Sequence, residues 1–102
     1  MPVAFDHREG ELVAHISGDI DHHSAAQLRE AIDRMAESVL PRLLVLDFSG
    51  VGFMDSSGIG LIMGRYKLMQ SMDGKVRVER ASPQLKKLMS LAGLSLLPIT
   101  IS

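Results

Sequence analysis

The run Asp55-Ser56-Ser57-Gly58-Ile59-Gly60 puts two hydroxyls beside a carboxylate and a glycine. It lies between an apolar stretch and a helix-forming stretch, so it marks a helix start. Asp55 can cap that helix by accepting from the amide of Ser57 or Gly58. Ser56 and Ser57 then fall in the first turn, where amides lack an intrahelical acceptor. A phosphate or other anion placed there meets free donors and the positive helix end. Gly58 removes a side chain and lets a partner backbone or a kinase cleft approach. The same residues are also common capping chemistry with no further role, and that reading stays open.

The second suggestive run is Gly18-Asp19-Ile20-Asp21-His22-His23. Adjacent histidines do not easily share one ion and no spaced third ligand is evident, so no metal is expected. A histidine of this loop could serve Ser57 as a base, which keeps a serine hydrolase as a minor alternative. No Gly-x-Ser-x-Gly elbow accompanies the serine. Gly58-Ile59-Gly60 resembles the start of a dinucleotide fingerprint, but Met63 stands where the third glycine belongs. There is no Gly-Lys-Ser/Thr, so no P-loop, and no cofactor is expected. Gly60 and Gly64 share a helical face and suggest close packing. Phe53 and Met54 lie in a turn, where one of them is expected to be exposed as an apolar anchor. Asp47, in Leu46-Asp47-Phe48, is expected to serve loop amides at a strand end.

Period-two alternation predicts strands at 3–8 and 12–17 around a hairpin containing Gly10. A loop follows at 18–23. Ser24 is the expected N-cap, with Gln27 completing a capping box, and a helix runs over 25–38. Leu28, Ala31, Ile32, Met35 and Val39 form its buried stripe. Residues 43–48 are almost continuously apolar and predict a central strand covered on both faces. A turn at 49–55 leads to a helix over 56–72. A half-exposed strand is expected at 75–79. Ser82-Pro83 opens a third helix that Gly93 closes. A last strand falls within 96–101, with Pro98 marking an edge. The order β-β-α-β-α-β-α-β implies an α/β fold with a mostly parallel sheet and an antiparallel N-terminal edge strand. The loops at 18–23 and 49–55 follow parallel strands, so both are expected at one end of the sheet, where α/β folds gather their sites.

The chain has 102 residues, the size of one domain, with no linker long enough to divide it. Twelve acids against eleven bases leave a net charge of −1, which disfavours direct nucleic-acid binding. The charge is uneven: residues 1–51 carry nine acids and four bases, residues 52–102 three acids and seven bases. Such a dipole can steer a charged protein partner. Cysteine is absent, which removes disulfides, thiol nucleophiles and thiolate metal sites. No basic n-region opens the chain and no apolar run approaches a membrane span, so a cytoplasmic location is expected.

Three stretches together resemble the STAS-domain anti-sigma factor antagonists, particularly the sporulation group of endospore-forming bacteria. They are residues 18–25, Phe53-Met54-Asp55-Ser56-Ser57-Gly58-Ile59-Gly60, and Leu61-Ile62-Met63-Gly64-Arg65-Tyr66-Lys67. The resemblance implies a non-enzymatic protein, monomeric when free, that binds an anti-sigma factor which is also a serine kinase. It implies that this kinase, using its own ATP, phosphorylates Ser57 and so ends the association, and that a PP2C-type phosphatase reverses it. Ser56 is the neighbouring serine. The partner surface implied by the match comprises Asp21, His22, His23, Ser24, Phe53 through Gly60, and Arg65. A STAS regulator of another partner-switching circuit, such as a stress-response antagonist or a signalling scaffold, is the alternative. Family members commonly continue into a further helix, which is expected to be missing from a chain ending at Ser102.

Overall fold

The structure is a computed structural model, and it describes residues 2–102. Five strands form one sheet in the order β1-β2-β3-β4-β5. They are β1 (Val3–Arg8), β2 (Glu11–Ser17), β3 (Leu43–Gly50), β4 (Lys75–Glu79) and β5 (Thr100–Ile101). Three helices alternate with them, α1 (His22–Val39), α2 (Ser56–Ser71) and α3 (Pro83–Leu91). The β1–β2 hairpin is antiparallel and every later pairing is parallel. This is the expected β-β-α-β-α-β-α-β arrangement.

Each parallel crossover steps one strand in the same direction. Right-handed connections of that kind deliver all three helices to one face of the sheet. The core confirms the layering. Leu28 and Ile32 of α1, Ile62 and Met69 of α2, and Leu85 and Met89 of α3 share one cluster with Leu12, Leu44, Leu46, Phe48 and Val78 of the strands. The result is two layers, and β3 is covered on both faces as expected, though helices supply the cover on one face only. Val45 and Asp47 point to the helix-free face and are nevertheless buried. In register beside them stand Val13 and His15 on β2 and Arg77 and Glu79 on β4, which flank them on that face.

Three boundaries differ from expectation for physical reasons. α1 begins at His22, not after Ser24, because Asp21 takes the cap: its carboxylate accepts from the Ser24 amide at 2.9 Å. Ser24 is then the third helical residue and its hydroxyl accepts from the Asp21 amide at 2.9 Å, completing the box that was expected one turn later. β3 extends through Gly50, where a side chain would meet the Ile16 carbonyl at 2.9 Å, so only glycine lets β2 approach so closely. At the C-terminal end a single 3-10 turn, Leu94–Leu96, takes the first residue of the expected strand, residues 97–99 are irregular, and β5 keeps two residues. Pro98 has no amide for the ladder, and the Ile99 amide turns back to the Leu97 carbonyl instead. α3 starts as expected, with the Ser82 hydroxyl accepting from Leu85 and Pro83 in the first turn.

Candidate functional site

The loops after β2 and β3 meet at the same end of the sheet. The Ile20 amide donates to the Phe53 carbonyl at 2.9 Å, and the Asp55 amide donates to the Ile20 carbonyl at 3.2 Å. This isolated parallel bridge pairs Ile20 with Met54. Both residues are buried, and each is followed directly by the aspartate that caps a helix. One bridge therefore places the first turns of α1 and α2 side by side.

Asp55 accepts from the Ser57 amide at 2.8 Å. Ser57 is half-buried at the second position of α2, and its hydroxyl has no hydrogen-bond partner among the described residues. Ser56 is exposed. Gly58 is buried against Met54, where an added Cβ would lie 2.6 Å from the sulfur and 3.0 Å from the Met54 Cβ. That close packing gives the glycine a structural reason at this point. Asp21 is exposed, and its bond from the Ser24 amide holds its carboxyl below the usual carboxylate range.

The residues singled out from the sequence separate into a surface and its support. Asp21, His22, His23, Phe53, Ser56 and Gly60 are exposed, with Ser24, Asp55 and Ser57 half-buried among them. Phe53 is the exposed member of its pair, at 57%. Met54, Gly58 and Ile59 are buried beneath, so they shape the surface without forming it. Arg65 is buried as well. Its Nε lies 2.7 Å from Asp33, which ties α2 to α1. Met54 and Arg65, both expected as contact residues, are thus largely enclosed in this conformation.

An open groove of about 460 Å³ runs between α1 and α2 and is lined by His22, Ala25, Ala26, Arg29, Ser57, Gly60 and their neighbours. The α1 contribution was not anticipated, although the spacing of these residues (22, 25, 26, 29) is one helical face. His22 shares the groove with Ser57, but no hydrogen bond joins them and no third group orients the imidazole. A nucleophile–base pair is thus not assembled. Among the described residues no group of three or more potential ligands is placed to hold a metal ion. No helix among them is long and apolar enough to cross a membrane.

On the opposite face, Asp47 accepts from the Ser49 amide at 3.0 Å, the loop role expected of it. It also binds His15 and Arg80, which sequence reasoning missed. Burial opposes its ionisation, yet the bonds from Arg80, Ser49 and His15 outweigh burial and hold the carboxyl well below the usual range.

The β-β-α-β-α-β-α-β order, with its five-stranded mixed sheet and antiparallel first pair, matches the fold of the STAS domain. The STAS domain family model matches residues 3–101, and the chain belongs to that family. It is similar to the anti-sigma F factor antagonist of Paenibacillus polymyxa, 33% identical over 97% of this chain and 86% of that protein. It is also 33% identical to the anti-sigma-B factor antagonist of Bacillus subtilis (strain 168), over 84% of this chain and 77% of that one. Among solved structures, the Bacillus cell fate determinant SpoIIAA in its phosphorylated form superposes with a TM-score of 0.75 at 25% identity, covering 98% of this chain and 90% of that one.

Proposed function

We propose that this chain is an anti-sigma factor antagonist whose Ser57 is its phosphorylation switch. In this reading the unphosphorylated form binds an anti-sigma factor that doubles as a serine kinase, and so frees a sigma factor. The kinase transfers the γ-phosphoryl group of its ATP to Ser57 Oγ, ADP leaves, and the hydroxyl proton is lost. A PP2C-type phosphatase hydrolyses the ester and restores the serine. The chain itself binds no cofactor and performs no catalysis.

The observation that carries this reading is the setting of Ser57. Its hydroxyl is unengaged, half-accessible and rigidly mounted on a capped helix start, beside exposed Phe53 and Asp21. Phe53 offers an apolar anchor of the kind that dominates interface energetics. A phosphate adds about −1.5 to −2 charges. Its bulk and charge conflict with any partner surface fitted to a neutral serine, while the accessible first turn of α2 leaves it room without disturbing the core. Release is local and requires no refolding. The names of the relatives support the same function, and the relatives cover both the sigma-F and the sigma-B circuits.

The test is incubation with candidate anti-sigma kinases and ATP, followed by intact mass and site mapping. One phosphate on Ser57, absent from Ser57→Ala, is the expected result. Phosphate on Ser56 alone, or none with any such kinase, overturns the reading. Capture of partners from cell extract then assigns the circuit, sporulation or stress response.

A further inference from the structure

The groove between α1 and α2 contains a cation without a partner. Arg29 is exposed on its wall. Neighbouring arginines are committed, Arg34 to Glu30 and Arg65 to Asp33, whereas Arg29 has no carboxylate within 4.0 Å among the described residues. We propose that Arg29 receives the phosphoryl group of phosphorylated Ser57, closing an internal bridge from the first turn of α2 to α1. This proposal rests on the reading of Ser57 as phosphoacceptor and adds what holds the phosphorylated state.

Three observations support the bridge. First, the path is clear. Between Ser57 and Arg29 the groove is floored by Ala25, Ala26, Gly60 and Gly64, and a Cβ added at either glycine would meet nothing within 4 Å. Second, the direction is right. Both helices follow parallel strands and run the same way, so His22 is level with Ser57 and Arg29 lies about 10 Å further along the axis. Helical side chains lean toward the N-terminus, so Arg29 leans toward the end carrying Ser57 while Ser57 leans away from it, and the long arginine must supply the reach. The sideways separation of packed helices, about 8–10 Å, adds to that offset, so the bridge needs Arg29 fully extended along the groove; a guanidinium there can pair with phosphate through two bonds.

Third, the obvious competing partner is occupied. The Ser57 amide already binds the Asp55 carboxylate at 2.8 Å, and that like charge turns a phosphate away from the helix end. The charged and titratable groups around the phosphate would then be Asp55 and Asp21 at the helix starts, His22 level with it, the Arg65–Asp33 pair and Arg29. Ser56 is not on the groove wall, so the bridge is specific to the second serine.

Phosphoserine can be installed at position 57 during translation, with no kinase involved. Phosphorus NMR titration of this protein and of its Arg29→Gln and Arg29→Lys variants tests the bridge. With Arg29 present the second phosphate ionisation is expected about half a unit lower than in Arg29→Gln, a discounted share of the shift an adjacent opposite charge produces. Arg29→Lys should restore part of the shift. Phosphoserine at 56 should show no dependence on residue 29. Equal titration midpoints at position 57 with and without the Arg29→Gln change overturn the proposal. The unphosphorylated Arg29→Gln protein, melted alongside, shows that the variant folds. Because no kinase is needed, a failure of the kinase assay above and a failure of the bridge are separate results.

Discussion

The imidazole of His15 lies 2.6 Å from the carboxylate of Asp47, joining β2 to β3 on the face that carries no helix. Its other ring nitrogen lies 2.7 Å from Asp6 on the edge strand β1. Arg80 completes the row with two bonds to Asp47 from beyond β4. One chain of charge thus crosses the sheet from its first strand to the end of its fourth. With both nitrogens facing carboxylates, the ring is favoured as a doubly donating cation.

This chain of charge makes stability depend on pH. The bond to Asp47, followed by that to Asp6, raises His15 above its ordinary 6.5. Its contribution is complete below the unfolded value and is lost as pH climbs through the higher folded value. Asp47 is shifted down, so its contribution holds above about pH 4, the ordinary aspartate range, and disappears only in strong acid. The pair is therefore expected to stabilise most between about pH 4 and 6.5. Thermal melts of the wild type and His15→Gln from pH 5 to 9 should converge as pH rises. A constant gap across that range contradicts the assignment.

Asp47→Asn should destabilise more than any other single change on this face. It leaves one acceptor oxygen and no charge where His15, Arg80 and the Ser49 amide now share two oxygens, at a cost of about 1–3 kcal/mol. Urea unfolding at pH 6 measures it. Asp6→Asn, at an exposed position, should cost much less.

Gly58→Ala should lower stability by about 1–3 kcal/mol, because the new methyl overlaps the Met54 side chain, including its Cβ at 3.0 Å. The companion change Met54→Ala should recover part of the loss in the double variant. Simple additivity of the two losses would show that the contact is not what Gly58 relieves.

Ser57→Ala and Asp55→Ala should separate function from fold. The cap bond uses the Ser57 backbone, so Ser57→Ala should change stability by less than about 0.5 kcal/mol while removing phosphate acceptance. Asp55→Ala removes the cap and should cost about 1 kcal/mol. Chemical denaturation of the two proteins side by side distinguishes them.

Phe53→Ser should leave stability nearly unchanged, since the ring is more than half exposed, and should weaken capture of the anti-sigma partner at least tenfold. Calorimetric titration with that partner measures this. Unchanged affinity would remove Phe53 from the interface.

Much of this molecule is readable from residue types. The alternation of strand and helix patterns implied a mostly parallel sheet with an antiparallel N-terminal edge, and Ser82-Pro83 marked a helix start that the bonds reproduce. The start of α1 was harder. Asp21 and Ser24 are both good caps, and only the mutual bonds across the box show which residue leads. The strand expected at 96–101 shrank because Pro98 interrupts the ladder, which apolar content alone does not reveal. The row Asp6, His15, Asp47 and Arg80 was invisible, because it comes from four separated segments aligned by strand register. Arg29 and its alanines were hidden differently. Their helical spacing was present in the chain, but it lies beside the buried stripe, and only the packing of α2 against α1 turns that flank into a groove wall.

The Ile20–Met54 bridge bears on how cheaply a partner can be bound. Floppy recognition loops must be ordered at the moment of association, and that entropy is subtracted from affinity. Here the two loops are ordered before any partner arrives, held by main-chain bonds and anchored by two buried side chains. A partner meets a preformed rigid surface and spends little on organising it. Small chemical differences at that surface, such as a single esterified hydroxyl, then translate almost undiminished into a change of occupancy.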